Sequence, residues 1–164
     1  MVDVIGIDHI YITVSDLQRS EEFYDRVFLN LEFRKNRFAI AGDPHIQYYN
    51  RHFGYVLRPA RVKRDRDAYL PGLHHLCLRV DSVADVHSAS QTLRTSGVDA
   101  TEPKLYREYA DDYVAIFFAD PDGLRIEITN VSGSYAASLR STCRFGRDPN
   151  VVGWRRSVVS TVLA

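Results

Sequence analysis

The feature that most constrains the fold is an internal repeat, in which two segments carry a histidine at their second residue and continue as an alternating strand. The first segment covers residues 8–14 (DHIYITV) and the second residues 74–80 (HHLCLRV), with His9 and His75 lying 66 positions apart. In both segments every second residue after the histidine is apolar, which is the period of a strand with one buried and one polar face. The chain is therefore predicted to contain two copies of one structural unit.

Each repeated strand is followed by a predicted helix. In the first copy Ser15, with Gln18 three residues later, predicts a capped helix start, and in the second copy Asp81 or Ser82 takes that place. Apolar residues then recur at three- and four-residue steps, so each helix has a stripe that can cover the apolar face of its strand. Gly97 is predicted to end the second helix.

Short β-rich runs follow each helix. The predicted runs are 31–34, 37–41 and 47–57 in the first copy, and 98–101, 112–119 and 124–130 in the second. The sequence DPDG at 120–123 predicts a tight turn before the last run. Each copy therefore has the order β-α-β-β-β.

The predicted fold class is α+β, with two tandem β-α-β-β-β modules forming a cupped mixed sheet around a metal site and the helices on the outside. One domain spans residues 1–131, with module one at 5–59, a linker at 60–72 and module two at 73–131. Residues 132–164 have no counterpart in the repeat and form a C-terminal extension of unknown role.

Composition and charge narrow the class of partner. The 164 residues carry 21 basic and 21 acidic side chains, a balance that does not favour nucleic acid or an anionic membrane surface. No apolar run approaches the roughly 18 residues of a spanning helix, and no signal peptide is recognisable. We therefore expect a cytoplasmic protein whose partner is a small molecule.

Two histidines and one carboxylate are candidate metal ligands. His9, His75 and Glu127 all fall on the polar phase of predicted strands, because their neighbours Ile10, Leu76, Ile126 and Ile128 take the apolar phase. Two imidazoles and one carboxylate suit a divalent first-row cation with open coordination positions.

For each residue alone, a hydrogen-bonding histidine or a solvent-facing glutamate is the ordinary alternative. The recurrence of histidine in both copies favours the metal site. His74 is a competing ligand, and the alignment of the repeats favours His75.

The same strand phases predict further residues of the cavity. Tyr11 lies beside His9, Arg79 beside His75 and Arg125 beside Glu127, so these three are candidates for binding a substrate. Alignment of Gly54 with Gly123 puts Arg58 at the position equivalent to Glu127, so the first module is predicted to supply no fourth ligand. Three alternatives follow for Arg58: it holds an anionic group of the substrate, it is exposed, or the register differs by one residue.

These residues resemble the vicinal oxygen chelate superfamily, which includes glyoxalase I, bleomycin resistance proteins and extradiol dioxygenases. Residues 7–16, 71–76 and 118–128 carry the resemblance. It implies paired modules around a divalent metal on His9, His75 and Glu127, with Fe(II) or Mn(II) favoured and Zn, Ni or Co as other choices. It also implies that Tyr113 faces the metal as a proton donor or a hydrogen-bonding partner of the substrate.

The function expected from this resemblance is that of a metal-dependent enzyme, a dioxygenase or lyase, acting on a small oxygen-rich substrate. The alternatives are a metal-independent drug-binding protein of the bleomycin-resistance type and a glyoxalase-like lyase or isomerase. Modules can pair within one chain or between two, and a homodimer is expected. If modules are exchanged, His9 comes from one chain and His75 with Glu127 from the other.

Overall fold

A computed structural model describes residues 1–62 and 66–130, so the predicted C-terminal extension lies outside the described residues. The first module comprises β1 (His9–Val14), α1 (Leu17–Phe28), β2 (Arg34–Ile40), β3 (Asp43–Tyr49) and β4 (Gly54–Pro59). The second comprises β5 (His75–Val80), α2 (Val83–Thr95), β6 (Lys104–Leu105), β7 (Val114–Ala119) and β8 (Arg125–Asn130). A short 3₁₀ turn, Leu29–Leu31, follows α1.

The strands form two mixed four-stranded sheets with the same topology. Their orders are β1-β4-β3-β2 and β5-β8-β7-β6, and in both the histidine-bearing strand lies at the edge and pairs in parallel with the last strand of its module. Within residues 1–62 and 66–130 no strand of one sheet pairs with a strand of the other. The α+β class and the two β-α-β-β-β modules are confirmed.

Some predicted element boundaries are wrong. The run 47–57 is interrupted at Asn50, whose side-chain oxygen accepts hydrogen bonds from the backbone of His52 and Phe53 and so turns the chain between β3 and β4. The cap of α1 is Asp16 rather than Ser15, because the Asp16 carboxylate accepts from the Arg19 backbone at 3.0 Å. Ser82 caps α2 and Gly97, at φ 79°, follows its end, as predicted.

One contiguous apolar core includes residues of both modules. The helices cover the apolar faces of the sheets, where the rings of Tyr24, Phe28, Tyr48 and Tyr55 pack with centroids 4.9–6.3 Å apart. The predicted alternation is visible in β1, where Ile10, Ile12 and Val14 are more buried than the residues between them. The apolar faces of both sheets therefore point into the protein.

A buried polar contact joins the two modules. Tyr24, on α1, donates a hydrogen bond to Asp120 Oδ2 at 2.9 Å and lies 2.8 Å from the Tyr55 hydroxyl. The other oxygen of Asp120 accepts from the backbone of Asp122 and Leu124, which builds the DPDG turn. Burial raises the pKa of Asp120, which is only 5% exposed, above its usual range. One carboxylate thus holds a turn of the second module and a helix of the first.

A second contact lies beside it at the surface. Asp122 Oδ2 accepts from the Ser15 backbone at 2.7 Å, and Asp122 Oδ1 accepts from the Ser15 hydroxyl and from Arg19 at 2.6 Å. Ser15 is therefore bound to the other module instead of capping its own helix. Negative charge beside the start of α1 also complements the helix dipole.

These contacts determine which faces of the modules meet. Because α1 packs against the β7–β8 turn, the modules approach each other through their helix-covered sides. The polar faces that carry His9 and His75 consequently point away from that junction, and both histidines are exposed. No helix among the described residues is both long enough and apolar enough to span a membrane.

We expect the replacement D120A to lower the free energy of unfolding by about 2–4 kcal/mol, because three buried donors lose their acceptor.

D120N retains an oxygen for both backbone donors and removes the buried charge. The folded state raises the pKa of Asp120, so protonated Asp120 stabilises the fold. This stabilisation is fully present below the unfolded-state pKa of about 3.9 and is lost as the pH rises through the pKa of Asp120 in the folded state.

The stability of D120N relative to wild type should therefore increase between pH 4 and pH 7, measured by urea unfolding. A difference that stays constant over this interval would contradict the role assigned to burial of the charge.

Candidate metal centre

Two of the predicted ligands lie next to each other on the polar face of the second sheet. The parallel register pairs His75 with Arg125 and Cys77 with Glu127, so His75 and Glu127 are diagonal neighbours on adjacent strands. His75 Nε2 lies 3.4 Å from Glu127 Oε2. Glu127 is 6% exposed, although its side chain is ionisable and opens into a cavity. A carboxylate buried to this degree requires partners.

Each of these two side chains is oriented by a further residue. Tyr113 donates a hydrogen bond to Glu127 Oε1 at 2.7 Å, which leaves Oε2 to face His75. His74 Nδ1 lies 2.8 Å from His75 Nδ1, so Nε2 is the nitrogen of His75 that faces the carboxylate. Partners on the far side of metal ligands fix their orientation in this way. His74, the competing ligand, is thus a partner of His75.

The observed spacing fits a shared cation. A nitrogen and an oxygen that each lie about 2.1 Å from one metal ion, at angles near 90–110°, are separated by roughly 3.0–3.4 Å. The 3.4 Å between His75 Nε2 and Glu127 Oε2 falls at the upper end of this interval. The pair therefore fits two of the three predicted ligands.

His9 lies on the other sheet and away from this pair. It lines a different cavity, together with residues of β3, β4 and the turn between them, and its side chain is 50% exposed. Its Nδ1 is 2.7 Å from Asp8 Oδ2, which leaves Nε2 free of that contact. In the part of the chain that the structure describes, no three His, Cys, Asp or Glu side chains lie close enough to bind one metal ion. One chain alone does not bring the predicted triad together.

The residue opposite His9 is a glycine. Gly54 is the register partner of His9, and a Cβ added to it would lie 3.4 Å from His9 Cβ and 3.1 Å from Gln47 Nε2. The absence of a side chain at Gly54 therefore leaves room beside the imidazole.

The predicted alignment of Arg58 with Glu127 is wrong. Glu127 pairs with Cys77, the second residue after His75, and the equivalent position opposite Tyr11 in the first sheet is Val56. Arg58 pairs with Thr13 and corresponds to Thr129. The alignment failed because the two glycines occupy different places, Gly54 inside a strand and Gly123 in a turn. Since valine has no donor atom, this position still supplies no fourth ligand.

Of the predicted substrate-binding residues, two line the cavity of His75 and Glu127. This cavity measures about 720 Å³, within the range of small-molecule sites, and includes Arg79, Arg125 and Tyr113. Tyr11 and Arg58 lie instead on the first sheet, where Tyr11 contacts His9 and His45 through its ring and Arg58 Nη2 is 3.4 Å from Asp43 Oδ2.

Sequence reasoning missed the part of the cavity wall that a loop supplies. Tyr109, between β6 and β7, lines the cavity and contacts Tyr113 at a ring-centroid distance of 5.3 Å. Tyr106, in the same loop, connects the Tyr109 ring with the Phe117 ring at 6.2 and 5.6 Å. Strand periodicity does not place loop residues, and only the density of tyrosines between 106 and 113 signals an aromatic wall.

Cys77 lies between His75 and Arg79 on the same face but is a poor nucleophile. Burial, together with the nearby Glu127 carboxylate, raises the pKa of the Cys77 thiol to about 12. The thiolate is the reactive form, so Cys77 is a neutral wall residue at physiological pH.

Comparison with known proteins agrees with this architecture. The sequence model of the glyoxalase/bleomycin resistance protein/dioxygenase superfamily matches residues 6–128. The chain belongs to this superfamily.

Its relatives are similar over most of the described chain. Virulence protein STM3117 of Salmonella typhimurium is 28% identical over 127 residues, covering 75% of this chain and 82% of that protein. A glyoxylase/bleomycin resistance protein/dioxygenase domain from Frankia sp. EAN1pec superposes with a TM-score of 0.64 at 21% identity, covering 78% of this chain and 98% of that one. Lactoylglutathione lyase from Agrobacterium tumefaciens gives a TM-score of 0.58 at 16% identity, with 78% and 95% covered. Both structures show a shared fold.

The raised pKa of Cys77 predicts slow alkylation. In a C143S background and without metal, we expect iodoacetamide to modify Cys77 at pH 8 at least about ten-fold more slowly than it modifies glutathione, because little thiolate is present. The rate should keep rising up to pH 9 without a plateau, and E127Q should increase it by removing the neighbouring charge. A plateau near pH 8.5 in a pH series followed by mass spectrometry would contradict the assignment.

Proposed function

We propose that this protein is a metal-dependent enzyme, a dioxygenase or lyase, that acts on a small oxygen-rich substrate bound to a divalent cation. His9, His75 and Glu127 would hold the cation, with Fe(II) or Mn(II) favoured by the two-imidazole, one-carboxylate donor set. The observation that carries the proposal is the pairing of His75 Nε2 with Glu127 Oε2 at 3.4 Å, with both side chains held from behind. The cytoplasm remains the compartment predicted from the sequence.

The proposal requires two copies of the chain. His9 and the His75–Glu127 pair lie on polar faces that point away from the junction between the modules, and His75 and His9 are 39% and 50% exposed. Strands β1 and β5 each pair on one side only among the described residues. A twofold axis that places the first sheet of one chain against the second sheet of another would bring the three ligands together twice. We therefore propose a homodimer with two shared sites.

In such a site the cation would polarise two neighbouring oxygens of the substrate as a Lewis acid. The chain itself supplies the orientation of the ligands. Tyr113 donates a hydrogen bond to the Glu127 carboxylate. Burial and that hydrogen bond raise the pKa of the Tyr113 hydroxyl, so the hydroxyl stays protonated and continues to donate to the carboxylate at physiological pH. In this proposal Tyr113 is a positioning residue for Glu127, and the roles that the resemblance implied, proton donor or hydrogen-bonding partner of the substrate, stay predictions. Cys77 contributes a neutral wall.

Metal content and oxygen uptake test the function directly. Purified protein supplied with Fe(II) or Mn(II) should bind about one ion per chain, as measured by elemental analysis, and E127Q should not retain it. Oxygen uptake with catechol-type compounds would select dioxygenase over lyase chemistry. A protein that binds none of Fe(II), Mn(II), Zn(II), Ni(II) or Co(II) would refute the proposal and favour a metal-independent binding protein.

Subunit complementation tests whether the site is shared. H9A and E127A should each lose metal, but co-expressed chains should recover it, because the mixed dimer has one site with both an intact His9 and an intact Glu127. Random assembly of equal amounts predicts about one quarter of the wild-type metal content, since half of the dimers are mixed and each mixed dimer has one intact site of two. No recovery, in dimers shown to be mixed by affinity tags, would rule out exchange.

The role of Tyr113 predicts a loss of metal affinity without a loss of fold. Y113F removes the donor to Glu127 Oε1 and should weaken metal binding about 10- to 100-fold, by analogy with other partners of metal ligands. Y69F, at an exposed tyrosine outside the cavity, is the matched control and should bind metal as the wild type does. Equal affinities in a competition titration with a chromogenic chelator would show that Tyr113 does not position the carboxylate.

A further inference from the structure

The cavity of His75 and Glu127 carries more positive than negative side-chain charge. Of the described residues that line it, Arg79 and Arg125 are cationic, and Glu127 is the only carboxylate. Neither arginine forms an ion pair with another described residue, which leaves both charges uncompensated by a neighbouring carboxylate group of the described chain. Charged side chains lining a pocket raise the local concentration of ligands of opposite sign.

The two arginines lie on both sides of the carboxylate along the sheet. Arg125 precedes Glu127 by two residues on the same face of β8, and Arg79 pairs with Thr129, two residues after Glu127. At about 3.3 Å per residue, each lies some 7 Å from Glu127 along the strand direction. A ligand centred at His75 and Glu127 is thus within reach of both guanidinium groups.

Arg125 is held in place by an aromatic ring rather than by a carboxylate. Its guanidinium carbon lies 4.1 Å from the centre of the Phe117 ring, close enough for a cation–π contact. This contact orients the group while leaving its hydrogen-bond donors available, and a guanidinium presents two parallel donors to a carboxylate.

The adjoining wall suits a flat ligand. Phe117, Tyr109 and Tyr113 line the cavity, and Tyr106 connects the Phe117 ring with the Tyr109 ring. Because Phe117 contacts Arg125 and Tyr113 donates to Glu127, the aromatic wall extends between these two charged groups. Aromatic side chains pack against rings and other planar groups with favourable geometry. The positive charge of the cavity favours an anion and its aromatic wall favours a flat group, so both features indicate a flat, anionic ligand.

We propose that the substrate is a planar, unsaturated or aromatic carboxylate. Its carboxylate group binds Arg125 while its ring or double bond lies along the aromatic wall of Phe117, Tyr109 and Tyr113. The proposal rests on the proposed function for the location of the site and adds the class of substrate to it. The carboxylate would bind beside the metal-binding oxygens of the substrate, since Arg125 is the register partner of His75 on the adjacent strand.

Benzoate and benzamide are matched probes, because they share a ring and differ in charge. The full chain, treated with a chelator so that metal does not contribute, is titrated with each probe and followed by ligand-observed NMR. We expect benzoate to bind at least ten-fold more tightly at low salt, a preference that 0.5 M NaCl reduces. R125Q should remove the preference, and R26Q, which makes the same charge change at an exposed site on α1, should retain it.

Several results would overturn the inference. Equal binding of the two probes, an unchanged preference in R125Q, or dissociation of a dimer by R125Q in analytical ultracentrifugation would each do so, the last by assigning Arg125 to an interface. Metal content measured on the same R125Q sample separates the two proposals. Normal metal content without a benzoate preference refutes the substrate class alone, whereas a benzoate preference in a wild-type protein that binds no metal supports the anion site and refutes the metal-dependent function.

Discussion

The hydrogen bond between the Tyr24 hydroxyl and the buried Asp120 carboxylate is the constraint on which the rest of the arrangement depends. It joins a helix of the first module to a turn of the second, and the same carboxylate builds that turn through two backbone amides. Because this contact lies on the helix-covered sides, it determines that the two polar faces look outward. The proposed site needs a second copy of the chain because the two modules contact each other through their helix-covered sides and not through their polar faces.

Much of the fold was predictable because it follows from the local periodicity of apolar and polar residues. The alternation after His9 and after His75 places both residues on polar faces, and the repeated order of elements identifies the architecture. The family resemblance, not strand phase, implied that Tyr113 faces the site, and its hydroxyl does contact Glu127. Strand ends were less predictable, because the turn at Asn50 depends on side-chain hydrogen bonds that leave no periodic signal.

The convergence of the site was not predictable from the sequence. Periodicity places a residue on a face but does not say which faces meet, and that depends on contacts between distant residues such as Ser15 and Asp122. The alignment of the two modules failed for a related reason, since equivalence is set by strand register and identifies Val56, not Arg58, as the counterpart of Glu127. Matching the two glycines was a poor guide to register.

The valine at position 56 affects the charge balance of the proposed metal site. The two modules share one topology, but only one of them retains an oxygen donor at this position, so a divalent ion bound as proposed would meet a single formal negative charge from the protein. Half of the charge of the ion would then be uncompensated by its ligands. In a cavity with two further cations, ionised forms of an incoming molecule would be favoured over neutral ones, and loss of a proton on binding would become easier.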